Sequence, residues 1–281
     1  MKEMNVLSLF DGMSCGQIAL NKVGVNYDNY YACEIDKYAM QITNKNYPNT
    51  IQLGDITKLD VNILPKIDLL FGGSPCQSFS SAGNGKGFNG KSGLFWEYVR
   101  VLKEVNPTYF LLENVVMKKE WKDIITNELG VEPIMINSSL VSAQNRKRLY
   151  WTNIPNITQP DDLGLYLKDI MEESVDNKYN FTQNFYKKKQ GTLSYKKSRM
   201  SMRTPEQKAK TLLTNPRNVG GNGLPIKISD DYIRVPTPVE CERLQTIPNN
   251  YTEGVSNTQR YKMIGNAWTV DVIAHIFKNL K

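Results

Sequence analysis

Histidine is almost absent from this chain, and cysteine is sparse. His275 is the single histidine, and Cys15, Cys33, Cys76 and Cys241 are the four cysteines among 281 residues. No two cysteines form a C-x-x-C pair, so neither a disulfide framework nor a zinc site is indicated, and reduced thiols with no metal are expected. His275 falls in the last amphipathic segment and reads as a solvated helix-face residue. A Cys-His or Ser-His catalytic pair therefore has almost nothing to draw on. No apolar run approaches the ~18 residues of a membrane span, and Met1 to Met4 lead into a strand without a signal-peptide pattern. A soluble protein with a cytoplasmic address is expected. The dinucleotide fingerprint G-x-G-x-x-G is missing from the first strand-to-helix turn, where Gly12 and Gly16 stand four apart, which weakens the case for NAD or FAD.

Positive charge is present but unevenly placed. Eleven Lys or Arg lie between Lys178 and Arg217 against one acid, Glu206, so that block carries +10 within a chain of net +7 and leaves −3 for the remainder. Such segregation fits the electrostatic footprint of a polyanion, and it also fits a solvated basic surface. Tyr179, Phe181, Phe185, Tyr186 and Tyr195 are interleaved with it, as stacking faces or as a small core.

Residues 1 to 153 alternate between strand and helix patterns. Strands are expected over Asn5 to Phe10, Asn29 to Cys33, Ile51 to Leu53, Ile67 to Phe71, Tyr109 to Leu112 and Pro133 to Ile136, with Leu149 to Thr152 closing the sheet. Helices are expected over Gln17 to Val23, Lys37 to Asn46, Leu94 to Glu104 and Trp121 to Glu128. The alternation predicts an α/β fold, a mostly parallel sheet with helices on both faces. From Pro155 the chain turns proline-rich, basic and aperiodic, which predicts a second, loop-rich domain over 154–235. Helical patterns return over Pro238 to Thr246 and Ala267 to Leu280. The latter sets Val270, Ile273, Ile276, Phe277 and Leu280 on one face and is expected to pack on the first domain, so that 1–153 and 236–281 form one unit.

Chemistry-bearing residues collect at the predicted strand ends. Gly72 to Gln77 reads Gly-Gly-Ser-Pro-Cys-Gln directly after an apolar strand, so Cys76 is either a nucleophile on a strand-end loop or an inert thiol beside a turn. The first turn, Ser8 to Gly16, has glycines that would let a cofactor lie against backbone. Glu34 follows about 20 residues later, where an acid commonly binds ribose hydroxyls, and Asp55 ends the third strand, where it could bind an adenine amino group. Glu113, flanked by Phe110, Leu111, Leu112 and Val115, is expected to be partly desolvated, which suits a proton donor near neutral pH as well as a helix-capping acid. Arg146 and Arg148 are two apart, on one face if that stretch is extended, and suit an anionic substrate or a carboxylate.

Phe10-Asp11-Gly12 with Gly16, Pro75-Cys76-Gln77, Glu113-Asn114-Val115, Gln144-x-Arg146-x-Arg148, Glu240-x-x-Arg243-Leu244-Gln245 and Gly265-Asn266 together resemble the ordered motifs of the DNA (cytosine-5)-methyltransferases. The resemblance covers nearly the whole chain outside the basic block. Val115-Val116, Val141-Ser142-Ala143 and the tail from Trp268 to Phe277 are further similar to the catalytic domain of the animal de novo enzymes. The length leaves no room for their chromatin-reading domains, so a compact bacterial or phage enzyme is expected. Ser14-Cys15-Gly16 departs from the Gly-x-Gly-Gly of many bacterial members, and Gly265-Asn266 follows the bacterial form.

The resemblance implies a Rossmann-like sheet that binds S-adenosyl-L-methionine, with a small target-recognition domain over 154–235 that reads duplex DNA, in a monomer. By the same resemblance Phe10, Asp11, Gly12, Ser14, Gly16, Glu34, Ile35, Asp55, Ile56, Ser74, Pro75, Asn266, Ala267 and Trp268 line the cofactor site. Gln77, Ser80, Asn114, Thr211, Leu212 and Arg243 face the substrate. Cys76 would add to C6 of a flipped-out cytosine while Glu113 protonates or hydrogen-bonds N3 and Arg148, with Arg146, holds the base carbonyl. The stretch from Gly83 to Gly93, with Gly85, Gly87 and Gly90, reads as a lid or as a plain surface loop. Methylation of tRNA, a catalytically silent DNA-binding module and an NAD-dependent oxidoreductase are the competing expectations.

Overall fold

The computed structural model describes residues 4–75, 91–181, 202–218, 223–229 and 232–280. Two compact units form, one of Met1–Ile136, Lys147–Gln159 and Ile273–Lys281, the other of Asn137–Arg146 and Pro160–Val272.

The first unit is built on a seven-stranded sheet. Its strands are β1 (Met4–Leu9), β2 (Tyr27–Cys33), β3 (Ile51–Gln52), β4 (Leu69–Gly73), β5 (Tyr109–Val115), β6 (Ile134–Asn137) and β7 (Lys147–Thr152), in the order β3-β2-β1-β4-β5-β7-β6. The β1–β2, β2–β3, β1–β4 and β4–β5 pairs are parallel, whereas β7 runs antiparallel to β5. The expected mostly parallel α/β sheet is thus found, although β7 lies between β5 and β6 instead of closing an edge. β1 and β4 are buried almost throughout, as expected of parallel strands covered on both faces.

Helices α1 (Cys15–Lys22), α2 (Lys37–Asn46), α3 (Phe95–Val105) and α4 (Lys119–Leu129) connect these strands. Asp36 starts α2 by accepting from the Tyr38 amide, and Gly130, in the left-handed region, ends α4. Leu7, Leu9, Leu70, Phe95, Tyr98, Leu112 and Trp151 lie at the centre of one continuous core cluster.

The second unit contains α5 (Pro238–Leu244), α6 (Asn257–Asn266) and a three-stranded sheet ordered β8-β10-β9, from β8 (Asn180–Phe181), β9 (Ile226–Lys227) and β10 (Ile233–Arg234). Thr237 and Glu240 form a reciprocal capping box with Pro238 at the first helical position, so α5 begins where three local signals agree. Two fully buried acids anchor these helices. Glu240 takes both terminal nitrogens of Arg234, at 2.7 and 2.6 Å, and Glu242 accepts from Arg260 at 3.0 Å.

The second unit includes 236–272, whereas the division expected from the sequence joins 236–281 to 1–153. The stretch expected as one helix from Ala267 to Leu280 is shorter, α7 (Val270–Phe277), because α6 ends at Asn266 and the chain is extended at Ala267. The end of α7 does return to the sheet, with the Phe277 ring 5.4 Å from that of Phe71. Among the described residues no helix is long and apolar enough to cross a membrane.

Candidate active site

Order in the first sheet reverses after β3, since the chain lays β1, β2 and β3 outward on one side and then β4 and β5 on the other. Parallel strands that diverge in this way open a crevice beyond their carboxyl ends, here between β1 and β4. Among the described residues of this unit, Phe10, Asp11, Gly12, Glu34, Asp55, Ser74 and Glu113 lie at or just beyond those ends.

Beyond β1 the backbone is unusual. Phe10, Gly12 and Ser14 have φ of 58°, 61° and 62°, left-handed values that favour glycine and are strained at the other two. The Asp11 carboxylate accepts from the Ser14 hydroxyl and, at 2.6 Å, from Tyr30 Oη. Burial pushes this carboxyl up to about 6, against the opposing effect of the Ser14, Ser8 and Tyr30 hydrogen bonds. Beneath the turn, Gln17 Nε2 donates to Ser14 Oγ and Thr50 Oγ1, and Thr43 Oγ1 donates to Ser14 Oγ. Asp11 and Ser14, both expected on the cofactor, also hold the turn together through these hydrogen bonds. Gly16 is also a packing residue, because a Cβ there would lie 2.4 Å from the Phe71 ring.

At the end of β2, Glu34 accepts three backbone amides, from Gly12 at 2.8 Å and from Ile35 and Asp36 at 2.7 Å each. Its carboxylate is therefore fixed over the β1 turn with lone pairs remaining. Ile35 beside it leaves 75% of its surface exposed, a large apolar side chain standing in solvent. Asp55 caps the short turn at Ile56–Lys58 by accepting from Thr57 N and Oγ1, and these two hydrogen bonds hold its carboxyl below the usual range. Ile56 is buried in the core cluster.

β4 and β5 bring the second group together. Gly73 pairs with Glu113, and Asn114 Nδ2 donates to Ser74 O at 3.3 Å and Ser74 Oγ at 3.0 Å. Glu113 is buried, as its apolar flanks lead one to expect, and Arg148 Nε sits 2.8 Å from its Oε1. Cys76, Gln77, Ser80 and Gly83 to Gly90 lie outside the described residues, so the chain that carries Cys76 is described as far as Ser74 and Pro75. The other three cysteines, Cys15, Cys33 and Cys241, are buried and in no disulfide. Burial pushes the Cys33 thiol up to about 12 and raises that of Cys241 well above its ordinary value.

Arg146 has different partners from Arg148. It precedes β7, is buried, and gives its guanidinium to three backbone carbonyls of the second unit: Leu212 at 3.0 Å, Gly265 at 3.4 Å and Ala267 at 3.0 Å. Arg243, expected on the substrate, binds Ile170 O, Met171 O and Asn249 Oδ1. Thr211 Oγ1 donates to Asn145 O, and the buried Leu212 gives its amide to Gln144 Oε1. Asn266 is exposed at the end of α6, followed by the half-buried Ala267 and Trp268.

Sequence reasoning missed Tyr30 and Gln17, which brace the β1 turn, and met Gln144 and Gln245 only as motif positions, without the bridge they form between buried segments of the second unit. Tyr30 sits in an ordinary alternating strand, and no local pattern marks it. Among the described residues, no group of three or more His, Cys, Asp or Glu is placed to hold a metal ion.

The fold is that of the α/β methyltransferases. A methyltransferase of Entamoeba histolytica superimposes with a TM-score of 0.80 at 18% identity, over 100% of both chains. The model of the C-5 cytosine-specific DNA methylase family matches residues 4–281, and the chain belongs to that family. It is similar to the orphan methyltransferase M.SPRI of Bacillus phage SPR, at 38% identity over 170 residues. That match covers 53% of this chain and spans 37% of the phage protein's length. The type II methyltransferase M.SsoII of Shigella sonnei is 30% identical over 302 residues, covering 98% of this chain and 79% of the relative.

Proposed function

We propose that this protein transfers a methyl group from S-adenosyl-L-methionine to C5 of a cytosine flipped out of a specific duplex DNA sequence, with Cys76 as the nucleophile. The observation that carries the reading is the buried Glu113–Arg148 pair at the ends of β5 and β7, alongside Asn114, which holds Ser74 two residues before Cys76.

Cytosine C5 is a poor nucleophile until a group adds across the C5–C6 bond. The Cys76 thiolate forms a bond to C6, and the displaced π pair passes toward C5 and N3, where Glu113 meets it by hydrogen bond or proton. Arg148 orients Glu113 and adds positive charge beside the base carbonyl. C5 would then take the methyl group as its bond to the donor sulfur breaks and S-adenosylhomocysteine is left, the C5 proton would pass to a base, and the returning pair would expel the Cys76 sulfur. Extraction of the base from the duplex costs a few kcal/mol, offset by contacts of this kind.

When bound, S-adenosylmethionine supplies an electrophilic methyl. Two features at the β1 and β2 ends fit an adenosyl group: the exposed apolar Ile35 beside the fixed Glu34 carboxylate, and Phe10 held in the left-handed region. Phe10, Gly12, Glu34, Ile35, Asp55 and Ile56 would hold it, with Ser74 and Pro75. The loop-rich segment within 154–235, with its basic block, would lie on phosphates and read base edges. In that segment, residues 182–201 lie outside the described residues.

DNA from cells expressing the chain, sequenced for 5-methylcytosine, tests the reading. Modification at one fixed sequence is expected. Unmodified DNA together with labelled tRNA would move the substrate to RNA.

A further inference from the structure

The short turn that presents Asp55 is held at both ends by charged side chains of the first unit. At its start, Asp55 accepts from Thr57 N at 3.0 Å and from Thr57 Oγ1 at 2.9 Å, both through Oδ1. Oδ2 makes no hydrogen bond among the described residues. At the other end, Arg100 of α3 donates from Nη2 to Ile56 O at 3.0 Å and from Nη1 to Leu59 O at 3.4 Å. The guanidinium is fixed by its own helix, with Glu97 at 2.9 Å and Glu104 at 2.7 Å. A carboxylate thus stands at the amino end of the turn and a guanidinium at its carbonyl end, the arrangement that aligned peptide dipoles favour.

The turn needs such support. Ile56–Lys58 is three residues long and is closed by Lys58 N donating to Asp55 O and Leu59 N donating to Ile56 O. So short a piece does not hold its shape by itself, because several dihedrals are fixed for very few hydrogen bonds. The buried side chains of Ile56 and Leu59 anchor it on the core side. Arg100 supplies the polar anchor. Without it both carbonyls turn to water, and the turn can rock about its two apolar side chains and carry Asp55 with it.

What Oδ2 can read follows from its charge. The two Thr57 hydrogen bonds hold the Asp55 carboxyl below the usual range, so at neutral pH it is ionised and only accepts. An adenine 6-amino group donates to such an oxygen, whereas the 6-carbonyl of hypoxanthine meets it with a second acceptor. Hydrogen bonds weaken steeply when misaligned, so the preference depends on the angle at which the turn offers Oδ2.

We propose that Arg100 is a positioning residue that sets the preference of the methyl-donor site for a 6-aminopurine, acting on Asp55 through the Ile56–Lys58 turn. The proposal rests on the methyltransferase reading above. Arg100 keeps 32% of its side chain exposed, and Glu97 and Glu104 keep 30% and 41%, so replacing it leaves no buried charge unpaired.

Titration calorimetry on the full chain tests it, comparing S-adenosylhomocysteine with S-inosylhomocysteine, in which a carbonyl replaces the 6-amino group. Wild-type protein should bind the adenosyl compound at least about tenfold more tightly, the lower end for a hydrogen bond to a charged group. Arg100→Met keeps the apolar stem and should bring that ratio close to one by weakening the adenosyl compound alone. A merely structural loss would weaken both compounds and leave the ratio intact. Arg100→Lys, a point charge that cannot hold two carbonyls as the planar fork does, should also lower the ratio, and it decides the matter if Arg100→Met does not fold. A wild-type ratio near one, or a wild-type ratio kept by the deciding variant, overturns the role of Arg100 and leaves the methyltransferase reading standing. Wild-type protein that binds neither compound overturns that reading, and the role of Arg100 with it.

Discussion

Arg148 Nε lies 2.8 Å from Glu113 Oε1 because the two residues stand diagonally on one face of the β5–β7 pair, with Glu113 opposite Tyr150 and Val115 opposite Arg148. Diagonal neighbours in an antiparallel pair are within reach of long side chains, so the register alone brings the guanidinium to the carboxylate. The pair acts as one device. Glu113→Gln should lower methyl transfer by roughly 10²- to 10⁴-fold, the usual contribution of a positioned acid. Arg148→Ala should fall in the same range, and the double variant should be little worse than either single one. Transfer of tritiated methyl to DNA measures all three, and strictly additive losses would show two independent roles.

Asp11 makes the stability of the first unit fall as pH rises from mild acid toward neutral. Its carboxyl is raised from 3.8 to about 6, so between those values the folded protein keeps a proton that the unfolded chain releases. The contribution of this group to stability is therefore highest at the acid end of the window and is lost as pH rises through about 6, by at most about 3 kcal/mol. Asp11→Asn removes the titration. Urea unfolding at pH 4.5 and pH 7 should show the variant gaining on the wild type at the higher pH, and an equal difference at both would contradict the assignment.

Much of the first unit is legible in the sequence because its signals are local. The expected helix over Lys37 to Asn46 coincides with α2, and the strand patterns lie within a few residues of β1, β2, β4, β5 and β7. Strand-end acids are visible as well, since Glu34 and Glu113 break apolar runs.

Less legible is anything decided by distant backbone. Arg146 and Arg148 look equivalent in a motif, yet one meets a carboxylate and the other three carbonyls, and carbonyls leave no mark in a sequence. Helix α6 is missed for a related reason. Its residues Arg260 and Gly265 are buried through Glu242 and the 213–214 backbone, not through an apolar stripe.

Glu240 should prove important for stability without touching the chemistry. It is fully buried against Arg234, and Glu240→Gln would leave that guanidinium without its charge partner. A loss of about 3–5 kcal/mol is expected for breaking one side of such a pair. Chemical denaturation checks it, and a loss under 1 kcal/mol would mean that Arg234 finds another partner.

Gly16 offers a contrast between packing and binding. Gly16→Ala sets a methyl group 2.4 Å from the Phe71 ring and 2.9 Å from Tyr30 Oη, so overpacking should cost about 1–3 kcal/mol. Thermal unfolding with and without S-adenosylhomocysteine separates the two effects. The shift should appear in the absence of ligand.

The central claim concerns Cys76, and the most direct measurement is trapping. Duplex DNA with 5-fluorocytosine at the methylated position cannot lose its C5 substituent as a proton, so the sulfur should stay bonded to C6 after methyl transfer. Wild-type protein with S-adenosylmethionine should give a denaturation-resistant protein–DNA adduct, and Cys76→Ala should give none. An adduct formed by the alanine variant would contradict the account, as would its absence from wild-type protein that methylates ordinary cytosine.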